Sequence, residues 1–85
     1  MTSEFKLSPS ILSADFSNLQ QALDQCRDGG APWIHVDVMD NQFVPNLTIG
    51  PPVVKSLRSK TEKILDVHMM VVEPEKLVEP FAKAG

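Results

Sequence analysis

The chain has 85 residues, enough for one small domain and too few for two. Hydrophobic residues make up 42% and charged residues 22%, a globular balance that excludes a disordered chain. The net charge of −3 leaves no basic footprint for nucleic acid, and no apolar run approaches the roughly 18–20 residues that span a bilayer. The opening MTSEFKLSPS carries neither a signal-peptide apolar stretch nor an Arg-rich transit pattern, which predicts a soluble cytoplasmic protein with no membrane partner. A single cysteine, Cys26, allows no internal disulfide and fits a reducing compartment.

Taken in chain order, strand and helix signals alternate. Residues 7–12 (LSPSIL) predict a first strand. Ser17 stands three residues before Gln20, the spacing of a capping box. Leu19, Ala22, Leu23 and Cys26 then recur at i, i+3, i+4 and i+7, one helical face that Gly29-Gly30 closes. Cys26 lies on that stripe and reads as a buried structural thiol. Residues 33–38 (WIHVDV) form the clearest strand, with aromatic and β-branched residues in alternation. The connection MDNQFVPNLTIG leads to Pro51-Pro52, favoured in a first helical turn, after which Val53, Val54 and Leu57 supply an apolar face. Residues 64–72 (ILDVHMMVV) predict a third strand. A helix follows Pro74, with Leu77, Val78 and Phe81 apolar, and Pro80 is expected to break or kink it near Glu79. The order βαβαβα requires parallel strands with right-handed crossovers, an α/β architecture of about 28 residues per unit.

Side chains two apart on a strand share a face. Ile34, Val36 and Val38 make one apolar face of the second strand; Trp33, His35, Asp37 and, past its end, Met39 lie opposite. On the third strand Leu65, Val67, Met69 and Val71 are the apolar face, and Asp66, His68 and Met70 share the other. On the first, Ser8, Ser10 and Leu12 are separated from Leu7, Pro9 and Ile11. Ionisable groups on a covered sheet face are costly unless paired or bound to a metal. With the strands adjacent, about 4.8 Å apart, His35, Asp37 and His68 converge on one point. Two imidazoles and a carboxylate suit zinc, ferrous iron or manganese. The competing reading is that each histidine is a hydrogen-bonded core residue.

An aspartate is a carboxylate at neutral pH, so Asp37 at a dry strand end could act as a general base on a carbon-bound proton. A metal beside it would serve as a Lewis acid for the enediolate that results. Met39 and Met70 either exclude water there or simply pack. The connection at residues 39–50 is long for an α/β unit, and ligands in such folds bind at the C-terminal strand ends. Asp40 and Asn46 could position a substrate or merely form turns and caps. Asp15, Asn18, Asp66 and Glu73 read as turn, cap or local hydrogen-bonding residues.

Three segments, PSILSADF at 9–16, WIHVDVMDNQFVPNLTIGPPVV at 33–54 and LDVHMMVVEP at 65–74, closely resemble the ribulose-phosphate 3-epimerase family. The resemblance implies a (β/α)₈ barrel of the TIM type, of which residues 1–85 are the first three βα units, an incomplete N-terminal part of one domain. It implies interconversion of D-ribulose 5-phosphate and D-xylulose 5-phosphate, a pentose phosphate pathway isomerisation. Two aspartates share the C3 proton transfer across one divalent metal ion: zinc, ferrous iron, manganese or cobalt. Asp37 matches the first aspartate, also a metal ligand. His35 and His68 match the histidine ligands that face the substrate. Ser10 matches the serine that hydrogen-bonds it, and Met39 and Met70 match methionines capping the enediolate. The small phosphorylated ketose is the expected partner, with a homo-oligomer for the full-length protein.

The resemblance also implies what these residues lack. The second aspartate, the phosphate-binding loops and a third capping methionine fall beyond residue 85, so the isolated chain is expected to be inactive. Asn41 replaces the glycine of the family's VMDG, and asparagine tolerates the left-handed backbone better than most residues. Two alternatives stand beside the epimerase reading. One is a related ketose-phosphate epimerase, such as one acting on allulose 6-phosphate; the other is a non-catalytic barrel fragment.

Overall fold

The computed structural model describes residues 6–85. Residues 1–5, half of the segment on which the targeting expectation rests, lie outside the described residues. Among the described residues three α-helices, α1 (Leu19–Asp28), α2 (Pro51–Arg58) and α3 (Val78–Ala84), alternate with strands β1 (Trp33–Met39) and β2 (Ile64–Met70). The two strands are parallel and in continuous register from Trp33 opposite Ile64 to Met39 opposite Met70. The third predicted strand therefore ends two residues earlier than expected.

The first predicted strand is corrected. Residues 7–10 run beside β1, with the Leu7 and Pro9 carbonyls accepting from Trp33 and His35 N–H at 3.4 and 2.8 Å. Only Ser10 bridges to β1, in parallel with His35, and the chain then turns into a 3₁₀ segment, Ile11–Ser13. Two physical reasons act together. Pro9 has no N–H to give to a ladder. The Ser10 hydroxyl accepts from Leu12 N–H at 3.1 Å, offering the backbone a turn in place of a strand. The expected split of faces survives where it bears on the core and the site: Ile11 is buried, and Ser8 and Ser10 point to the polar side.

The start of α1 is also corrected. Asp15, not Ser17, accepts from the backbone: its carboxylate takes Ser17 N–H at 2.9 Å and opens a 3₁₀ turn over Phe16–Asn18. Asn18 then caps α1 through Gln21 N–H at 3.4 Å. Ser17 instead donates its hydroxyl to Asp15. A carboxylate two residues upstream is the stronger acceptor, so it captures the turn that a serine cap would have opened. At the other end Gly30 adopts φ 75°, with Gly30 N–H on the Arg27 carbonyl and Ala31 N–H on the Cys26 carbonyl. That is a Schellman stop, as the double glycine predicts. Cys26 is half-buried against the core.

Pro51 and Pro52 occupy the first turn of α2 after Gly50. Pro80 does not kink its helix. A 3₁₀ turn takes up Pro74–Lys76, α3 begins at Val78, and Pro80 falls in the first turn, where N–H groups have no intrahelical acceptor to lose.

The core forms on one face of β1. Ile34, Val36 and Val38 are buried there with Ile11, Leu23, Ile49, Val54, Leu57, Val71 and Phe81. Each fully buried aliphatic side chain contributes about 1.5–3 kcal/mol relative to exposure. Leu65, Val67 and Met69 pack only half-buried, because β2 has β1 on one edge and no strand among the described residues on the other. The opposite sheet face carries the polar groups.

Between β1 and α2 the chain makes a braced excursion. Asp40 bridges antiparallel to Leu47, and Asn41 N–H donates to the Asn46 carbonyl at 2.6 Å. Asn41 sits at φ 61°, the left-handed region that glycine occupies without cost. Asn41→Gly is therefore expected to fold at least as stably as the parent. Asn41→Ala, with a Cβ and no amide to compensate, is expected to lose about 1 kcal/mol. Urea unfolding of the three proteins checks both; an alanine variant as stable as the glycine one would contradict the assigned backbone.

Candidate functional site

The parallel register sets the site. Asp37 lies opposite His68, and His35 opposite Asp66, so four ionisable side chains from two strands form two rungs on one sheet face. Ser8 and Ser10 reach the same face from the segment beside β1.

Asp37 is buried yet fully engaged. Its Oδ2 accepts from the Ser10 hydroxyl at 2.5 Å, and its Oδ1 lies 3.0 Å from His35 Nε2 and 3.6 Å from His68 Nδ1. The two imidazoles meet edge to face, centroids 5.6 Å apart. One ligand atom from each of His35, Asp37 and His68 fits within 4.8 Å of the others. Two imidazole nitrogens and a carboxylate oxygen around one point are the donor set that a borderline divalent cation takes, so these residues fit a metal ion. Met39 and Met70, paired in register, continue the same face one step toward the strand ends and are half-buried.

His35 is held from both ends, with Nδ1 2.9 Å from Asp66 Oδ2. Both ring nitrogens thus face carboxylates, and the imidazole binds a proton more tightly than a free histidine. The Asp66 hydrogen bond is the main cause, opposed by burial and aided by the charges of Asp37 and Asp66. Asp66 is correspondingly held below the usual carboxylate range, first by His35 and further by the Ser8 hydroxyl at 3.1 Å, against partial burial. Sequence reasoning placed Asp66 on the right face but assigned it only local hydrogen bonding. The signal was its place two residues before His68, and only the register could aim it at His35.

Thr48 went unnoticed as well. Its hydroxyl donates to the Asp37 carbonyl at 2.7 Å and accepts from Met39 N–H at 3.0 Å, tying the excursion to the end of β1. Asp40 and Asn46 resolve toward turns. Asp40 Oδ1 accepts from Gln42 and Phe43 N–H, both at 2.9 Å, while Oδ2 accepts from Val72 N–H at 2.9 Å just past β2. The Asn46 side chain accepts from Leu47 N–H.

The Val72 N–H is the largest of the influences that hold the Asp40 carboxyl below its ordinary range, followed among the favourable ones by its own turn amides. A depressed folded-state value means stability present above about pH 4 and lost as pH falls through the folded value. In Asp40→Asn the loss of stability as pH falls below about 4 is therefore expected to be shallower than in the parent. Urea midpoints across that range measure it, and parallel curves would remove Asp40 from this bracing role.

Parallel strands covered by helices on one face, with a His–Asp–His donor set that could hold a cation on the other, define an α/β protein with its polar groups gathered on one sheet face. Comparison with known proteins makes this specific. Residues 6–85 match the model of the ribulose-phosphate 3-epimerase family, and the chain belongs to that family. It is 59% identical over its whole length to a ribulose-phosphate 3-epimerase of Synechocystis sp., covering 37% of that protein. It is 55% identical to one of Treponema pallidum, again along the whole chain and 39% of the relative. The Bacillus subtilis relative of the same name is 52% identical over 94% of the chain and 37% of its own length. The chain thus spans little more than a third of these curated relatives.

Proposed function

We propose that this chain supplies the first acid/base residue and three metal ligands of an enzyme that interconverts D-ribulose 5-phosphate and D-xylulose 5-phosphate. The observation that carries this reading is the His35–Asp37–His68 cluster, with Asp37 buried at its centre. Family membership supports it, and the names of the relatives favour the pentose phosphate over the allulose 6-phosphate alternative.

In this reading the strands belong to a (β/α)₈ barrel, and the segment 7–10, β1 and β2 open its first three units. A bound divalent cation, zinc, ferrous iron, manganese or cobalt, supplies Lewis-acid stabilisation of the negative oxygens that form when the C3 proton leaves. Asp37 removes or returns that proton on one face of the sugar. An aspartate from beyond residue 85 serves the other face. Ser10, hydrogen-bonded to Asp37, orients the carboxylate and offers its hydroxyl to the substrate. Met39 and Met70 keep water from the reacting carbon.

In this reading the 85 residues supply one half of the acid/base pair and the rest of the protein supplies the other, so they are expected to be inactive alone and the complete protein active, as a homo-oligomer. For its compartment we propose the cytoplasm, and the lone cysteine fits such a reducing environment. A rice relative named as a cytoplasmic isoform and an Arabidopsis one named chloroplastic are both 55% identical to this chain. Among the described residues no helix is long and apolar enough to cross a membrane.

The test is ribulose 5-phosphate turnover in deuterated water by the complete protein, before and after metal removal. Deuterium entering C3 only when a divalent metal is restored is the expected outcome; exchange that persists without metal would remove the metal from the proposal.

A further inference from the structure

Among the described residues, Asp66 is the one carboxylate on the polar face that stands outside the three-residue donor cluster. Its position is nonetheless doubly defined. Ser8 donates to the same oxygen, Oδ2, that meets His35 Nδ1, so the carboxylate is clamped between a hydroxyl and an imidazole. The side chains of His35 and Asp66 are only 26% and 36% exposed, which distinguishes the contact from a freely solvated surface pair.

An imidazole has two nitrogens with separate duties. On His35, Nε2 faces the cluster, 3.0 Å from Asp37 Oδ1. Nδ1 faces away from it, toward Asp66. A metal takes a deprotonated nitrogen, so the remaining ring proton must sit on the other one and needs an acceptor. We propose that Asp66, held by Ser8, is a positioning residue. It accepts the His35 Nδ1 proton, fixes the ring plane, and thereby commits the Nε2 lone pair to the cation. The relay runs Ser8–Asp66–His35 from the edge of the sheet into the site. His68 gains no such partner among the described residues, so the two histidines are unequal: one braced ligand and one more exposed one.

This inference rests on the metal reading of the cluster, and the experiment separates the two. The complete protein is labelled with ¹⁵N-histidine, and Zn²⁺ affinity is measured by competition with a chromophoric chelator for wild type, Asp66→Ala, Asp66→Asn and Ser8→Ala. Zinc-loaded wild type is expected to show a His35 Nδ1 proton coupled to its nitrogen and slow to exchange, with Nε2 metallated. Asp66→Ala is expected to bind zinc about 10–100-fold more weakly and to lose that slow exchange. Asp66→Asn, whose amide oxygen still accepts the proton, is expected to keep the Nδ1–H signal with a smaller affinity loss. Ser8→Ala is expected to fall between wild type and Asp66→Asn. Should Asp66→Ala fail to fold, the wild-type spectrum still decides: a His35 metallated at Nδ1 overturns the proposal. Equal zinc affinity and unchanged exchange in Asp66→Ala overturn it while leaving the metal site standing. A wild-type protein that takes up no zinc overturns both.

Discussion

Asp37→Asn in the complete protein is expected to lower kcat by about 10²–10⁴-fold, the usual contribution of a positioned acid/base group. The change is nearly isosteric but removes the basic oxygen. Asp37 is buried and spends every contact on the site: Ser10 on one oxygen, both histidines around the other. Asparagine must turn its NH₂ toward one side, where it meets either the Ser10 hydroxyl or the His35 and His68 nitrogens. It can neither take a proton from carbon nor offer an anionic ligand. Because the proposed function gives both roles to one carboxylate, the loss is best divided by saturating the variant with metal before assay. Recovery of wild-type rates at high metal concentration would leave Asp37 a ligand only. Persistent loss of C3 deuterium exchange in the metal-loaded variant is the expected result.

The second large effect falls on the other side of the same strand. Ile34→Ala in the complete protein is expected to cost about 2–5 kcal/mol, the range for truncating a fully buried aliphatic side chain. Ile34 is 0% exposed, at the centre of a core shared by α1, α2 and α3. β1 lies between the 7–10 segment and β2, so it has little freedom to shift into the space left behind. Urea unfolding supplies the measurement. A loss below about 1 kcal/mol would mean that the site collapses onto the cavity and β1 is not the rigid element on which His35 and Asp37 depend.

The two substitutions act on neighbouring parts of one strand for opposite reasons, and that alternation was legible in the sequence. A period of two across WIHVDV separates the greasy residues from His35 and Asp37 whatever the rest of the chain does. The double-glycine stop of α1 and the prolines that open α2 were equally readable. Each depends on backbone chemistry within a few residues. The same locality explains two of the errors. Where a carboxylate, Asp15, competed with a serine for one turn, or Pro9 interrupted a ladder, several local outcomes were compatible with the letters, and hydrogen-bond strength chose among them.

By itself the sequence determined which side chains share a face, because pleating ties side-chain direction to position along a strand. The alternation of elements further required parallel strands. Tertiary structure alone decided which residue stands opposite which. Register between strands of different segments is set by how Ile11, Val36, Val54, Leu57 and Phe81 fill the core, a sum over distant parts of the chain. That register brought His68 to Asp37 and aimed Asp66 at His35, turning four separate polar residues into one connected site.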